Sequence, residues 1–538
     1  MKSSKLLYFL SPLFLAVALA LGIWIGYSWL SPSKSDDANK KFREIMSIVD
    51  REYVDDINTD SVFDLALPDL LSYLDPHSIY IPAADFAAVN NQLEGSFSGI
   101  GVTFNMMTDT IKVIEVISGG PSEKVGILPG DRIITIDDSI VAGKKISDDN
   151  IISRLRGPKG TKVKLGIQRM SSKKTLKFEV VRDDIPMTSI DAAYMLTDDI
   201  GYIRVNKFSK TTYDEFLTDL NRLTNKGAKS FVLDFRGNGG GLLDMAILMV
   251  NEFLSAGSPI VTTRGRTENS QTIADGIGNF QNAKLAVLID EFSASASEIF
   301  AGAIQDNDRG IIIGRRSYGK GLVQRQTVLS DSSAIRLTVA RYYTPSGRCI
   351  QKKYVPGKSY DYEYEVFSRF DDGESFKLDS TKINKDEIFH TIGGRPVYGG
   401  GGIIPDIFVP VDTAGITKYY MNVYNAGMFQ KFTFDFCDMN REQLSKIKDV
   451  DVLIDNLPSE GLLIQSFVEY SAQRGHTPRW YYINMSADLI INTLRSLIAR
   501  DMLGTAAYYQ VANRSDKMIK CAVEAIKEGK ADVPISQL

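Results

Sequence analysis

Ser230-Phe231-Val232-Leu233-Asp234-Phe235-Arg236-Gly237-Asn238-Gly239-Gly240-Gly241-Leu242 decides the fold class. Five of its first six residues are apolar or small, with no alternation, which predicts a strand buried on both faces of a parallel sheet. The strand runs into a glycine loop, and the apolar pattern after it predicts a helix to about Leu254. The flanks repeat the theme. Ile200 to Val205 reads as a strand, and Thr212 to Thr224 as a helix with Phe216, Leu220 and Leu223 on one face. Leu285 to Asp290 is a further strand, followed by a helix over Ala296 to Gln305. Strands alternating with helices imply an α/β core, here about Asp184 to Val411. The loop lacks the lysine-serine ending of a P-loop and the acidic ribose ligand of a dinucleotide site. An oxyanion hole fits it better, with glycine amides near a helix N-terminus aimed at developing negative charge.

Two segments beyond the loop carry the chemistry. Ser293-Ala294-Ser295-Ala296-Ser297-Glu298 places small hydroxyl residues at a helix start. Tyr318-Gly319-Lys320-Gly321-Leu322-Val323-Gln324 presents one lysine between glycines. The chain's three histidines, His77, His390 and His476, form no recognisable nucleophile–base arrangement in sequence, so for a serine hydrolase the pattern favours lysine as the base. A free lysine, near pKa ~10.4, is protonated at neutral pH, and burial lowers that value by several units. Gln324 lies four residues from Lys320, on one face of a strand or helix, where it can hold the amine. Residue chemistry alone does not choose among the three serines, which could all be helix caps.

About Glu94 to Arg182 the pattern changes to short strands and glycine turns. Strands are expected after Gly99-Ile100-Gly101-Val102, over Ile111 to Ile117, after the turn Leu128-Pro129-Gly130-Asp131, and at Val163 to Arg169 and Leu176 to Val181. A helix is expected at Asp148 to Leu155. This block resembles a PDZ domain, which binds an extended peptide as an added strand and captures its C-terminal carboxylate on backbone amides. The resemblance places that carboxylate loop at Gly99, Ile100, Gly101 and Val102.

The ends address the chain. Lys2 and Lys5 precede an apolar run from Leu6 to Leu30, long enough to span a bilayer with the N-terminus in the cytoplasm. Ala18-Leu19-Ala20 resembles a cleavage site, but the apolar run continues past it, which favours a retained anchor. Helices are expected at Phe42 to Tyr53 and Thr59 to Tyr73. His77, in the turn after them, reads as a histidine with local hydrogen bonds. With 538 residues, three or four domains are expected. A net charge of −4 offers nothing to nucleic acid, and the three separated cysteines match no zinc or redox spacing.

In this order, these parts closely resemble the C-terminal processing (tail-specific) peptidases. Asp75-Pro76-His77-Ser78, Tyr343-Thr344-Pro345-Ser346-Gly347-Arg348 and Gly402-Ile403-Ile404-Pro405-Asp406-Ile407 add to the likeness. The resemblance implies Ser295 as nucleophile, Lys320 as base and Gln324 as the residue that holds the lysine. It implies oxyanion amides at Ala296 and at Gly240, with Gly241 as second choice. It also implies a core built from ββα units, as in the crotonase superfamily, and no cofactor or metal. The expected organisation is an anchor at 1–30, a helical segment at 31–93, a PDZ domain at 94–183, a protease core at 184–411 and a helical domain at 412–538. Expected partners are proteins with free C-termini and the membrane, with an adaptor or a homo-oligomer left open. The expected place is a bacterial inner membrane with the body in the periplasm. A PDZ scaffold and a thioester-cleaving acyl hydrolase are the competing classes. The segment Tyr354 to Ile392, rich in charges and aromatics, reads as an insertion.

Overall fold

The computed structural model describes residue 21 and residues 36–106, 110–170, 172, 174–377 and 387–531. Apart from Leu21, the apolar run expected to cross a membrane lies outside them. Among the described residues no helix is long and apolar enough to span a bilayer. The chain divides into two compact units, Met1–Leu71 and Ser72–Leu538. The first carries helix Asp36–Glu52 and most of helix Thr59–Ser72, joined by a Phe42–Phe63 ring contact of 5.4 Å.

In the second unit, the expected parallel sheet has six strands. Their order is Ile190–Met195, Ile200–Val205, Ser230–Asp234, Lys284–Ile289, Ile311–Gly314 and Ile407–Phe408, and only the first pair is antiparallel. Strand Ser230–Asp234 is buried along its whole length. One face packs against helices Thr212–Asn225, Leu243–Asn251 and Ala296–Asp306, through Phe216, Phe231, Met249, Val287 and Phe300. The opposite face, with Val232, Ala286, Leu288 and Ile313, is covered by Met518, Ile519 and Ala522 of helix Lys517–Lys527. The C-terminal region therefore completes the core of the six-stranded sheet. A second, five-stranded sheet is organised on the long strand Ala334–Tyr343. It pairs with Leu322–Val328 and Pro259–Gly265, and with Ile79–Ile81. The segment expected to be helical at 31–93 thus also contributes a strand, because Ile79–Ile81 finds an unpaired stretch of strand edge.

The PDZ block forms a sheet of five strands in line, with Ser139–Ile140 paired off Arg132–Ile136. Its core, Ile111, Val113, Ile133, Val163, Leu165 and Ile167, is closed by Ile151 and Leu155 of helix Asp148–Leu155. The Leu-Pro-Gly-Asp-Arg turn has a clear physical cause. Gly130 sits at φ +91, and buried Asp131 accepts the Leu128 amide and two hydrogen bonds from Arg169 at 2.7 Å each. Strand Val102–Asn105 is an edge of this sheet, open to an added strand. The chain enters and leaves the block through the paired strands Ser96–Gly99 and Asp183–Pro186.

Beyond 411 the chain is helical from Lys418–Asn425 to Lys517–Lys527, around Phe429, Phe432, Phe467, Leu494 and Ile498. Its helix Met428–Met439 docks on the outer face of the PDZ sheet. Arg132 donates to Asp438 at 2.7 Å, and Lys112 lies 4.2 Å from the Phe434 ring and 3.6 Å from Asp435.

Candidate active site

The three serines of the Ser-Ala-Ser-Ala-Ser segment have different environments. Ser293 is fully buried; its Oγ donates to the Phe235 carbonyl at 2.9 Å and accepts the Asp290 amide. Ser297 is fully buried and donates to the Asn238 carbonyl at 2.9 Å. Ser295 is half-buried and lines a cleft of about 530 Å³. Its backbone has φ 55 and ψ −111, a conformation that L-residues rarely adopt. It stands at a sharp strand-to-helix turn of the kind that presents a nucleophile's Oγ.

Glu298 holds that turn. Fully buried, it accepts the amides of Ser295 at 2.8 Å, Gly319 at 2.7 Å and Lys320 at 2.9 Å, and the Ser317 hydroxyl at 2.6 Å. Burial pushes its carboxyl upward, and these donors offset part of that rise. One side chain thus ties the serine turn to the lysine loop. Sequence reasoning quoted Glu298 without assigning it a role, although the spacing Ser295-x-x-Glu298 is that of a capping box.

Lys320 lines the same cleft, just before strand Leu322–Val328, and its Nζ donates to Gln324 Oε1 at 3.0 Å. Burial lowers its pKa, the Arg336 charge lowers it further, and Glu298 and Asp75 act in the other direction. Gln324 Nε2 in turn donates to the His77 carbonyl. His77 is therefore more than a local turn residue. Its Nε2 lies 2.9 Å from the Tyr362 hydroxyl, which accepts from Gln351 Nε2 at 3.0 Å. The same hydroxyl lies 3.5 Å from the Gly319 carbonyl, to which it can donate. Burial and the Lys320 charge bring the imidazole pKa down to about 3, so the ring is neutral beside the amine.

Tyr362 belongs to helix Ser359–Asp371, inside the expected insertion. The same helix braces the lysine loop. Buried Arg369 donates to the carbonyls of Arg316 at 3.1 Å, Ser317 at 2.8 Å and Tyr318 at 3.1 Å. Glu365 pairs with Arg369 and Lys352, each at 2.9 Å. Burial would raise its carboxyl, but Arg369 and Lys352 bring it down to about 2.

The glycine loop closes the other side. Gly240 has φ +99, and a Cβ there would lie 2.8 Å from Ser295 Cβ and 3.0 Å from the Ala296 nitrogen. At Gly241, φ +145, a Cβ would meet the Phe208 carbonyl at 2.0 Å. Only glycine permits this approach. Asn238 pins the loop. Its carbonyl accepts the Ala294 amide at 3.0 Å, and its Oδ1 accepts the Gly240 amide at 2.8 Å. In the first turn of helix Ala296–Asp306, the amides of Ser297, Glu298 and Ile299 have acceptors within the turn, whereas the Ala296 amide has none among the described residues. Buried Asp234 accepts from Tyr202, Arg204 and Arg236, and Arg236 also reaches Asp516 at 2.7 Å. The cleft therefore brings together Ser295, Ala296, Lys320, Gln324, Gly240 and Gly241. Gly99 to Val102 lies apart, in the PDZ block, where Gly101 takes φ +75 at the start of the edge strand.

The fold and this cleft define a serine peptidase carrying a PDZ domain, and the comparisons agree. Residues 199–364 match the model of peptidase family S41, residues 98–180 that of the PDZ domain, and residues 419–504 a family of unknown function (DUF8443). The carboxy-terminal-processing protease of Bartonella bacilliformis is 36% identical over 355 residues, covering 64% of this chain and 80% of that protein. Carboxy-terminal processing proteases CtpB and CtpA of Bacillus subtilis are each 32% identical. The CtpB match covers 60% of this chain and 67% of that protein, and the CtpA match 66% and 76%. The chain belongs to peptidase family S41, among the carboxy-terminal processing proteases.

Proposed function

We propose that Ser295 and Lys320 form a catalytic dyad in a membrane-anchored endopeptidase that acts on extracytoplasmic proteins through their C-termini. The observation that carries the reading is the strained turn at Ser295, tied by Glu298 to a buried lysine whose pKa is lowered. Neutral Lys320, oriented by Gln324, takes the Ser295 proton as Oγ attacks the peptide carbonyl. The Ala296 amide and a glycine-loop amide receive the oxyanion. Gly240 serves only after exchanging its bond to Asn238, and Gly241 is the alternative. Protonated Lys320 then gives its proton to the leaving amine, and water releases the acyl group. The strand–strand–helix order Ile190–Met195, Ile200–Val205, Thr212–Asn225 supports a ββα-unit core. The substrate's carboxylate docks at Gly99 to Val102, and its chain adds to edge strand Val102–Asn105. The apolar run from Leu6 to Leu30 anchors the chain in a bacterial inner membrane with its body in the periplasm.

The test is cleavage of an unfolded protein with a free apolar C-terminus by the full chain in detergent. Wild type cuts, while Ser295→Ala and Lys320→Ala do not. Cleavage that survives in Ser295→Ala overturns the dyad. For the anchor, the protein should stay with membranes after an alkaline wash and be digested by protease added to spheroplasts.

A further inference from the structure

The cleft holds cations and, among its described lining residues, no carboxylate. Lys207, Lys320 and Arg336 all line it. Lys320 has its place in the proposed mechanism, but the other two have none. Arg336 sits on strand Ala334–Tyr343, opposite Gln326, two residues from Thr338, which stands opposite Gln324. By the two-residue period of strands, Gln324, Gln326, Arg336 and Thr338 share one face. Arg336 is thus one cross-strand pair away from the glutamine that holds Lys320. Its Nη2 donates to Gln326 Oε1 at 2.8 Å and burial lowers its pKa; among the described residues no carboxylate pairs with it, and Asp75, the acid beside this face, accepts from Thr338 Oγ1 at 3.0 Å. Burial lowers Lys207 also, with the charges of Glu215 and Asp191 acting in the other direction. Elsewhere in this core Arg204 and Arg236 pair with Asp234 and Arg348 with Asp306, while Arg309, also lowered by burial, spends its donors on the carbonyls of Phe253, Phe280 and Ala283; Arg336 has neither arrangement and lines the cleft. A half-buried guanidinium without an anion is costly, and it faces the space where substrate must lie.

We infer that Arg336 is a carboxylate-binding residue of the substrate cleft, so that this protease favours polypeptide segments carrying a carboxylate close to the scissile bond. The inference rests on the reading of Ser295 and Lys320 as the catalytic pair. The planar guanidinium matches a carboxylate in a two-bond fork. Lys207 adds positive field to the same cleft, and apolar Phe208, Leu242 and Leu322 beside them receive the neighbouring side chains. The carboxylate comes either from an aspartate or glutamate side chain or from a nearby free C-terminus.

The experiment uses the full chain with Ser295→Ala, so that nothing is cut, and fluorescently labelled peptides sharing one apolar frame. One peptide carries glutamate and an amidated C-terminus. A second has glutamine and a free C-terminus, and a third has glutamine and an amide. Fluorescence anisotropy at low and high salt is expected to show a carboxylate peptide binding about tenfold tighter than the third at low salt, with the difference shrinking at high salt. Adding Arg336→Gln erases the difference, and Arg336→Lys keeps most of it. The peptide whose advantage depends on Arg336 identifies the carboxylate's source, because tail capture by the PDZ block does not respond to this substitution. Equal affinities, or a preference unchanged in Arg336→Gln, overturn the inference. The catalytic reading is judged separately, by whether Ser295→Ala still cleaves these peptides.

Discussion

Lys320 is the residue on which pH should act. In the proposed mechanism its neutral form is the base, and burial together with Arg336 lowers its pKa. kcat/KM should therefore rise with pH through one ionisation whose midpoint lies below the ordinary lysine value of ~10.4. Removing the neighbouring positive charge makes the protonated amine less costly. Arg336→Gln should move that midpoint upward and slow the enzyme at neutral pH, which a pH–rate profile reads directly. Glu298 is the second critical residue. Glu298→Gln turns an amide nitrogen toward donors that a carboxylate now satisfies, leaving at least one buried N–H unpaired at a cost of about 1–3 kcal/mol. The variant should unfold at lower denaturant and lose about a hundredfold or more in kcat, with KM little changed. Sequence offered three candidate serines in residues 293–297. It could not separate Ser295 from its neighbours, because the distinction depends on Phe235 and Asn238, which lie 58 and 59 residues away in the chain and whose carbonyls accept from the other two hydroxyls.

At the scale of the element, the helices and strands of the core were legible from periodicity. Helix Asp148–Leu155 and strands Ile200–Val205 and Leu176–Val181 fall on their expected residues. The helix Ser359–Asp371 was not legible, since its charges and aromatics look like a solvated insertion. Its inner side is set by Arg369, Glu365 and Tyr362, whose partners lie on the lysine loop and at His77. Arg369→Ala should therefore free three carbonyls and cost about 2–4 kcal/mol, with activity falling further than stability alone explains. Chemical denaturation and kcat measured on the folded fraction separate the two effects. The glycine loop makes a sharper prediction. Gly240→Ala meets the Ala294 carbonyl at 2.8 Å and Ser295 Cβ at 2.8 Å, so it should abolish cleavage while leaving peptide capture by the PDZ block intact.

At the scale of the whole molecule, the region beyond 411 belongs to the protease. Helix Lys517–Lys527 covers one face of the six-stranded sheet, and Asp516 caps that helix while reaching Arg236 beside the glycine loop. A chain ending at 516 should expose Val232, Ala286, Leu288 and Ile313 and aggregate on expression. Asp516→Asn keeps the cap and weakens the ion pair, so it should lower kcat several-fold with little change in melting temperature. The sequence by itself determined the order of parts, the α/β class, the PDZ turn and the serine and lysine segments. Each of these is written in local spacing: apolar period, glycines at turns, and residues of one chemistry within a few positions. Only the tertiary structure decided which serine is strained and open to the cleft, that Glu298 joins it to the lysine loop, and that the last helix closes the protease sheet. Those properties arise where segments far apart in the chain compete for the same hydrogen bonds and the same buried surface, and a linear pattern carries no record of that competition.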